Sequence, residues 1–579
     1  MKCKGLYDDT VSIIVGGEAG QGVNRAGELL GKALMRARFH CYGNIEYPSL
    51  IRGGHNYYQL RTSSRKVHSQ TWQTDLLVAL NKDTIFQHLD EMNSGGGIIH
   101  DEGVSFEDDE IKRDDVEFYP VPMKEIVKEL GGPEIMINTV ALGGAAALMG
   151  LDPDFLKEVI SEAFEGREDI IEMNTEAVQR GYDHCSDNEY SFNCILESES
   201  EHQNIWLTGN QAIALGAISA GCKFYSAYPM TPASPVLHYM VEKQKDTEMV
   251  VIQPESEIAA MLMTIGASYA GVRAMTATSG GGFCLMSEGL SLAAMSETPI
   301  VVMVAQRPGP STGMATYSGQ GDLLFAVYGA HGEFQRIVLT PSDVEECYFL
   351  TAEAFNLAEK FQIPVLIITD KTLVESHYTT EPFDYSKINI DRGKIVEKWE
   401  KKEEYKRYLI TEDGVSPRAF PGTEDVLVFA NSNEHKERGW TTADPGPAAQ
   451  MVDKRFSKEP HIKEAIMELE PIKVYGTEDY DVTLIGWGGV RGPSLEAMKL
   501  LEEEDIKSRY ITLTVMEPFP DGLRDYLDDK SILIENNRSN VLGTLIKLNT
   551  GFTFKHKLNK YDGRPFNPDE IAQKVKEAL

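Results

Sequence analysis

The stretch "KFYSAYPMTPASP" (residues 223–235) carries a hydrophobic, strand-like segment directly into a turn bounded by Pro229 and Pro232. The turn leaves Thr231 at its tip. Such a turn is ordinarily only a connector. In open parallel sheets, however, ligands bind in the crevice beyond the carboxyl ends of the strands. The residues that follow the neighbouring strands therefore decide whether this turn belongs to a functional site.

Five more strands are predicted after this one, with helices between several of them. The helices include 256–270 and 342–362, and the second begins with the S-x-x-E pattern of a capping box, from Ser342 to Glu345. Alternating strands and helices of this kind predict a mainly parallel sheet covered on both faces. The predicted strands are 248–254, 273–279, 300–306, 334–340 and 364–370.

The N-terminal region shows the same alternation. The strand "TVSIIVGG" (10–17) leads through a glycine loop (17–22) into a helix over 23–38. A later helix, 138–150, is rich in small residues and is expected to pack closely against a neighbour. We therefore predict a second, mainly parallel α/β unit at this end. Its other predicted strands are 40–48, 74–80 and 96–102.

The chain of 579 residues is too long for one hydrophobic core. The predicted fold class is α/β and multidomain, with a third, small α/β layer built on strands 481–487, 508–515 and 530–536 around a helix at 492–504. Polar, acidic residues predict a linker, and a charged, loop-rich region predicts an arm or insertion. The predicted segments are 1–182, the linker 183–205, 206–380, the arm 381–469 and 470–579.

Composition excludes several classes of protein. The net charge of −33 argues against nucleic-acid binding and against an acidic protein partner, and its simplest interpretation is a solvated, soluble surface. No apolar run approaches the length of a membrane span, and the N-terminus lacks a signal-peptide core. The seven cysteines, at positions 3, 41, 185, 194, 222, 284 and 347, form no CxxC pair. This pattern suits a reducing cytoplasm and supplies no iron–sulfur or zinc ligand set.

The strand ends of the middle region collect polar groups at one rim. Thr231 follows the first strand, "PESE" with Glu255 and Glu257 follows the second, and "TSGGGF" with Gly280 and Gly281 follows the third. Arg307 follows the fourth, ahead of Pro308-Gly309-Pro310, where a rigid guanidinium suits a carboxylate. Glu255 could merely favour a helix N-terminus, and the glycines could merely form a turn. Glu257 begins a helix that is expected to be buried, and a carboxylate there needs a hydrogen-bond donor or a positive charge as its partner.

These motifs resemble a known family. "YPMTP" (228–232), "ESE" (255–257), "TSGGG" (278–282) and "AQRPGPSTG" (305–313) are similar to the α subunit of 2-oxoacid:ferredoxin oxidoreductases, the 2-oxoglutarate branch above all. "DGVSPRAFPG" (413–422) fits the same pattern, and "NSNEHKERG" (431–439) fits it more loosely. The segment "GGEAGQG…IEYPSLIRGG" (16–54) resembles the γ subunit, here fused ahead of α. Met230 stands where the family commonly has Ile, a volume-conserving difference.

The resemblance implies an enzyme that decarboxylates a 2-oxoacid with thiamine diphosphate, transfers the acyl group to coenzyme A and passes electrons to ferredoxin. Residues 206–380 would bind the aminopyrimidine of the cofactor, 1–182 would be the γ-type domain, and 470–579 would resemble the transketolase C-terminal domain. A glutamate that bonds the pyrimidine N1′ would be Glu257, or less favourably Glu255, with Gly280 and Gly281 at the cofactor. Thr231 and Arg307 would bind the substrate.

The resemblance also implies a partner. This chain lacks the GDG-plus-Asn motif for Mg²⁺ and diphosphate and has no cysteine set for a cluster. The family's β subunit supplies Mg²⁺ and [4Fe-4S], and ferredoxin would dock there. We therefore expect an enzyme that is active only as a heterodimer or a dimer of heterodimers.

Alternatives stay open at this point. The glycine loop with Gly17, Gly20 and Gly22 could hold coenzyme A or another phosphate, or could be a tight turn without a ligand. It has Ala19 where a dinucleotide fingerprint has its second glycine, which disfavours an NAD-dependent dehydrogenase. The chain could also be a scaffold subunit that has lost catalysis. The substrate could be 2-oxoglutarate, pyruvate or a branched-chain 2-oxoacid.

Overall fold

A computed structural model describes residues 10–49, 53–107, 110–196, 203–399 and 403–579. Parts of the motif at 16–54, the predicted linker and the charged segment at 394–408, together with Cys3, lie outside the described residues. The strands are β1 (Thr10–Glu18), β2 (His40–Glu46), β3 (His55–Ser63), β4 (Thr74–Ala79), β5 (Met92–Asp101), β6 (Glu117–Val121), β7 (Ile205–Thr208), β8 (Cys222–Ser226), β9 (Val250–Ile252), β10 (Arg273–Thr278), β11 (Ile300–Gln306), β12 (Ile337–Leu339), β13 (Pro364–Asp370), β14 (His377–Thr380), β15 (Ile472–Gly476), β16 (Val482–Gly486), β17 (Ser508–Leu513), β18 (Val515–Glu517), β19 (Ser531–Glu535) and β20 (His556–Asn559).

The helices alternate with these strands through most of the chain. They are α1 (Val23–Arg36), α2 (Lys82–His88), α3 (Met123–Glu129), α4 (Ile137–Met149), α5 (Pro153–Ala163), α6 (Glu168–Asp187), α7 (Gly209–Ser219), α8 (Ser234–Thr247), α9 (Glu257–Tyr269), α10 (Gly280–Met295), α11 (Leu323–Tyr328), α12 (Val344–Phe361), α13 (Lys371–Glu375), α14 (Pro445–Phe456), α15 (Glu459–Met467), α16 (Arg491–Glu502), α17 (Val541–Thr550) and α18 (Pro568–Ala578).

The chain divides into two compact units. The first comprises the described residues from 10 to 208 together with 375–382 and 567–573, and the second comprises 209–374, the described residues of 383–566, and 574–579. Strand β14, which the sequence places at the end of the middle region, belongs to the first unit. Together the two units confirm an α/β, multidomain fold.

The first unit is built on an eight-stranded sheet in the order β6-β5-β4-β1-β3-β2-β14-β7. Strands β1, β4, β5 and β6 are parallel, but β3 pairs antiparallel with both β1 and β2. Strand β14 pairs antiparallel with β2 and β7. The prediction of a mainly parallel sheet is wrong for this unit, because the hairpin from β2 to β3 was not recognised in the sequence.

Helix α4 packs very closely against α6, as its small residues predict. A Cβ atom on Gly143 would lie 2.9 Å from the carbonyl carbon of Val178, and one on Gly181 would lie 2.9 Å from that of Val140. The two backbones therefore touch where each helix has a glycine. Helix α6 continues through Asp187, so the first residues of the predicted linker are helical.

The second unit contains a seven-stranded sheet in the order β18-β12-β13-β11-β10-β8-β9. Every pair but β12 with β18 is parallel, which confirms the predicted topology. Every residue of the central strands β11 and β13 is buried. Their continuous apolar sequences are typical of strands covered on both faces.

A five-stranded sheet completes the second unit, in the order β15-β17-β16-β19-β20. Strand β15 pairs antiparallel with β17, and the other pairs are parallel. Asp370, at the end of β13, accepts a hydrogen bond from the amide of Gly489 at 2.8 Å and another from Gln320 at 3.0 Å. These bonds tie the smaller sheet to the larger one.

Two local expectations need correction. The predicted capping box from Ser342 to Glu345 is wrong by one residue: the N-cap of α12 is Asp343, which accepts the amide hydrogen of Glu346 at 2.8 Å. Glu346 in turn accepts the amide hydrogen of Ser342 at 2.7 Å. In addition Cys194 is disulfide-bonded, which the scattered cysteine pattern did not predict.

No helix in the described ranges combines the length and apolar composition that crossing a bilayer requires.

Candidate functional site

Glu257 is the first residue of α9 and lies at the carboxyl-end rim of the seven-stranded sheet. Ser256 caps the helix by accepting the amide hydrogen of Ala259 at 3.3 Å, and this cap fixes where Glu257 enters the interior. Glu257 is only 4% exposed, whereas Glu255 is exposed. Within the described part of the chain no hydrogen bond or ion pair reaches the Glu257 carboxylate. A buried carboxylate without a partner is costly, so its position calls for a ligand.

The glycines in the first turn of α10 make room for this carboxylate. A Cβ atom on Gly282 would lie 2.8 Å from Oε1 of Glu257 and would also overlap the hydroxyl of Thr278. Gly282 is buried, whereas Gly281 is exposed. A Cβ atom on Gly281 would find its nearest neighbour, the carbonyl oxygen of Ser311, 3.9 Å away. The turn is therefore closed toward the glutamate at Gly282 and open at Gly281.

The same turn accommodates a second carboxyl group. A Cβ atom on Gly280 would lie 2.7 Å from Cγ and 2.9 Å from Oδ1 of Asp322, which the sequence analysis did not select. Burial raises the pKa of Asp322 to about 6, and the nearby charge of Arg307 opposes that rise. Burial in turn lowers the pKa of the Arg307 guanidinium, against the opposite influence of Asp322. Because Gly280 has no side chain, it leaves room for the Asp322 carboxyl group, which interacts electrostatically with Arg307.

Arg307 and Thr231 lie together at this rim. Nη1 of Arg307 donates to the backbone carbonyl of Thr231 at 2.7 Å. Asn210, fully buried on α7, donates to the carbonyl of Pro232 at 3.0 Å and holds the turn from behind. The Thr231–Pro232 peptide is cis. Among the described residues nothing hydrogen-bonds the Thr231 hydroxyl, which leaves it available to a ligand.

The backbone at the start of α10 adds further donors. Ser279 is the N-cap residue, but its side chain makes no capping hydrogen bond. The first amides of a helix have no intrahelical acceptor, so those of Gly280 and Gly281 carry unsatisfied donors and the positive end of the helix dipole. The structure therefore brings Thr231, Glu257, Gly280, Gly281 and Arg307 to one rim, and leaves Glu255 exposed beside it.

The N-terminal glycine loop is arranged differently. Gly20 and Gly22 have positive φ values of 104° and 74°. The side chain of Gln21 folds back into the loop: its Oε1 accepts the amide hydrogen of Glu18 at 2.6 Å, and its Nε2 donates to the carbonyl of Leu80 at 3.3 Å. One amide that a phosphate would need is therefore already bonded, and a Cβ atom on Gly17 would lie 2.7 Å from Oε1 of Gln21.

Sequence reasoning missed Asp322 and Asn210. Asp322 lies in "GQGDLL" (319–324), where an aspartate ahead of an apolar helix suggests an ordinary N-cap. Asn210 lies in the first turn of α7 and has no local signal for contact with a turn 22 residues later. Both act through distant parts of the chain, so sequence spacing did not reveal them.

Comparison with protein-family models gives two matches. A model described as pyruvate flavodoxin/ferredoxin oxidoreductase, thiamine diphosphate-binding, matches residues 215–454. A second, described as pyruvate ferredoxin/flavodoxin oxidoreductase, matches residues 12–184. The first match contains the whole rim described above, and the second contains the glycine loop.

Full-length relatives agree with these models. A 2-oxoacid:ferredoxin oxidoreductase subunit alpha from Sulfolobus sp is 35% identical over 97% of this chain and 96% of its own. The 2-oxoglutarate synthase subunit KorA of Methanothermobacter marburgensis is 32% identical over 64% of this chain and 98% of its own. A solved 2-oxoglutarate:ferredoxin oxidoreductase from Magnetococcus marinus, with 2-oxoglutarate, coenzyme A and succinyl-CoA bound, has a TM-score of 0.89 and 35% identity. The match covers 99% of this chain and 100% of that one.

Proposed function

The chain belongs to the 2-oxoacid:ferredoxin oxidoreductase family as an α subunit, and from that premise we propose that it decarboxylates 2-oxoglutarate together with a β subunit. The products are succinyl-CoA, CO₂ and reduced ferredoxin. The observation that carries the proposal is the buried, unpartnered Glu257 at a rim that also holds Arg307 and the free hydroxyl of Thr231.

The residues at the rim fit thiamine diphosphate. The aminopyrimidine ring has a nitrogen, N1′, that becomes a hydrogen-bond donor when it is protonated, and Glu257 offers a carboxylate with no protein donor among the described residues. Gly282 leaves that carboxylate room, and the exposed Gly281 leaves the turn open. Bound there, the cofactor supplies a carbon nucleophile for a keto group and a place for the electrons that remain when CO₂ leaves.

The chain's own groups then have separate tasks. With the cofactor bound, the Glu257 carboxylate would accept a hydrogen bond from the protonated N1′ and so stabilise the imino form of the aminopyrimidine, whose exocyclic nitrogen is then free to act as a base. Glu255 is exposed and is the less favoured candidate. The amides of Gly280 and Gly281, at the start of α10, would donate hydrogen bonds to the cofactor.

Substrate recognition falls to Arg307 and Thr231. Arg307 uses one nitrogen on the Thr231 carbonyl, and its remaining donors can pair with the substrate carboxylate. The Thr231 hydroxyl hydrogen-bonds the keto acid end. A carboxylate next to a ketone is common to all 2-oxoacids, so these two residues do not select 2-oxoglutarate over pyruvate or a branched-chain acid. The preference for 2-oxoglutarate rests on the ligand of the Magnetococcus enzyme and on the name of the Methanothermobacter relative.

The domain assignment that we propose keeps the boundaries predicted from the sequence. Residues 1–182 form a γ-type domain, and its glycine loop with Gly17, Gly20 and Gly22 is a candidate contact for coenzyme A. Residues 206–380 bind the pyrimidine, and 470–579 form the domain that resembles the C-terminal part of transketolase. The segments 183–205 and 381–469 are the linker and the arm. We place the protein in the cytoplasm.

An apolar surface beside the rim supports a β partner. Helix α9 is apolar around most of its circumference, a property of helices buried on all sides, yet Ile258 is 50%, Leu262 42% and Met263 40% exposed. Leu285 on α10 is 51% exposed. We assign these side chains to the contact with a β subunit that brings Mg²⁺, the diphosphate site and [4Fe-4S], and on which ferredoxin docks. The assembly is a heterodimer or a dimer of heterodimers.

The function is tested by reduction of a viologen dye. The chain is co-expressed with its β partner, loaded with thiamine diphosphate and supplied with coenzyme A and either 2-oxoglutarate or pyruvate. We expect reduction that requires coenzyme A and is faster with 2-oxoglutarate. Faster reduction with pyruvate would overturn the substrate assignment. A well-formed, cofactor-loaded complex that reduces nothing with any 2-oxoacid would favour a scaffold subunit.

The partner surface is tested at Cys284, a free, exposed cysteine on α10 next to Leu285. The other free cysteines of the described residues, 41, 185, 222 and 347, are buried. We expect the isolated chain to be alkylated at Cys284 within minutes and the α–β complex to be protected there, as measured by peptide mass spectrometry. Equal alkylation of both samples would place the partner elsewhere. Leu548 on α17, 66% exposed and replaced by Cys, gives the control that stays reactive in both.

A further inference from the structure

We propose that Asp322 takes up a proton from solvent when a 2-oxoacid binds, so that substrate binding at this rim is coupled to protonation of an aspartate beside Arg307. The inference rests on the proposed function and assigns a role to a residue that it does not use. Asp322 is a positioning residue: it acts on the substrate through Arg307.

Asp322 occupies a capping position without capping. It is the N-cap residue of α11, where an aspartate ordinarily accepts an amide hydrogen of the first turn, but its side chain makes no such bond. Its own amide donates instead to Oε1 of the buried Gln306 at 2.8 Å, and this fixes its backbone. Its carboxyl group lies against Gly280. Within the described ranges no donor reaches that carboxyl group.

The balance of charge around Asp322 and Arg307 changes when a substrate carboxylate binds. Asp322 packs against Gly280, and Arg307 donates to the Thr231 carbonyl. The two groups form no contact ion pair among the described residues, but their opposite charges attract each other. The substrate carboxylate pairs with Arg307 and adds a second negative charge close to Asp322. Like charges that share a site cannot all remain ionised cheaply. Formation of an O–H bond on Asp322, with a proton from solvent, restores the balance.

Two titratable groups among the described residues interact electrostatically with Asp322. Arg307, after β11, favours the ionised carboxylate, and burial together with the charge of Asp322 raises the pKa of the Cys284 thiol on α10. Burial outweighs Arg307 and brings the pKa of the free Asp322 to about 6. Asp322 is therefore already protonated well below pH 6 and ionised above it, and a substrate carboxylate nearby raises its pKa further. Proton uptake is thus expected above about pH 6 and absent below it.

The test is calorimetric and does not depend on turnover. N-oxalylglycine, the isosteric analogue of 2-oxoglutarate whose amide carbonyl resists attack, is titrated into the thiamine diphosphate-loaded α–β complex at about pH 7.5, in phosphate and in Tris. These buffers differ in ionisation enthalpy, so the difference in heat counts the protons exchanged. We expect uptake that approaches one proton per site, and a dissociation constant that rises by up to about tenfold per pH unit above about pH 6.

Two variants assign the proton. Asp322→Asn keeps the size of the side chain and is expected to bind with no uptake and with a dissociation constant that hardly changes with pH. Glu288→Gln removes an exposed carboxylate from α10, the helix whose first residue lies against Asp322, and is expected to behave as the wild type. Uptake that persists in Asp322→Asn would overturn the inference, as would a wild-type complex that binds the analogue without exchanging protons.

The same samples separate this inference from the proposed function. A wild-type complex that turns over 2-oxoglutarate but binds the analogue without proton uptake contradicts only the role of Asp322. A complex that neither binds the analogue nor reduces viologen with any 2-oxoacid contradicts both. Because wild-type binding is itself informative, an Asn variant that fails to fold does not prevent a decision.

Discussion

The two glycine turns of this chain have similar sequences and different tasks. In the first unit "GGEAGQG" (16–22) joins β1 to α1, and in the second "TSGGG" (278–282) joins β10 to α10. In the first turn Gly20 and Gly22 adopt positive φ, and the side chain of Gln21 fills the interior. In the second turn Gly280 and Gly282 are needed because Asp322 and Glu257 come too close for a side chain.

A glycine cluster can therefore be required for either of two reasons. Either its backbone needs a positive φ, or neighbouring side chains come too close for a Cβ atom. A turn that needs positive φ is explained by its own geometry. A turn whose glycines leave room for other side chains is explained only by those side chains. Here they are two carboxyl groups from distant parts of the chain. The second kind marks a site, because a buried carboxyl group such as Glu257, and a partly buried one such as Asp322, call for another partner when no protein donor reaches them.

Among the glycine variants of the two turns, the largest effect is expected at Gly282. In Gly282→Ala the new methyl group displaces the Glu257 carboxylate, and a displacement of about 1 Å at a catalytic group costs on the order of 10²-fold in rate. The matched variant is Gly281→Ala, where the nearest protein atom is 3.9 Å away. It is expected to raise the thiamine diphosphate concentration needed for half-maximal activity, while kcat at saturation falls by less than about tenfold.

Viologen reduction by the purified α–β complexes, with cofactor titrated, separates these effects. Circular dichroism checks that both variants fold. Equal kcat values for the two alanine variants would show that Gly282 does not make room for a catalytic group, and the comparison between the two turns would then fail.

A smaller effect is expected in the first turn and appears in stability. Gly22 has φ 74°, and a Cβ atom there would lie 3.3 Å from Ile135 and closer still to Asn138. Gly20 has φ 104° with nothing within 4 Å of its Cβ position. A left-handed backbone conformation costs a non-glycine residue about 1–2 kcal/mol. Gly20→Ala is therefore expected to lower the free energy of unfolding by about that amount, and Gly22→Ala is expected to lower it further. Thermal unfolding midpoints measure the order, and a higher midpoint for Gly22→Ala would contradict it.

Much of the fold followed from sequence periodicity. The helix at 256–270 and the strands at 300–306 and 364–370 lie within a residue or two of their predicted ends, because continuous apolar segments bounded by turns are strong local signals. Strand β3 was missed because its sequence, "HNYYQLRTS", is largely polar. Its six buried residues include Gln59 and Arg61, and Arg61 donates to the carbonyl of Ser69. Buried polar residues satisfied by distant partners leave no hydrophobic pattern.

The candidate functional site could be predicted from the sequence only in part. Thr231, Glu257 and Arg307 were selected because they follow parallel strands, whose carboxyl ends meet at one edge of a sheet, and the structure brings them to that rim. The roles assigned to them remain predictions. Asp322 could not be found in this way, since it follows a long loop after β11 and resembles a helix cap. Only the space that Gly280 leaves reveals it.

Glu257 is proposed to be the carboxylate that activates the cofactor. The decisive measurement is viologen reduction with 2-oxoglutarate and coenzyme A by α–β complexes that carry Glu257→Gln or Glu255→Gln. Glu257→Gln keeps the side-chain volume but removes the negative charge that stabilises a protonated N1′, and a fall in kcat of about 10²–10⁴-fold is expected. Glu255→Gln, at an exposed position, is expected to lose less than about tenfold. Full activity in Glu257→Gln, or a collapse in Glu255→Gln alone, would contradict the claim.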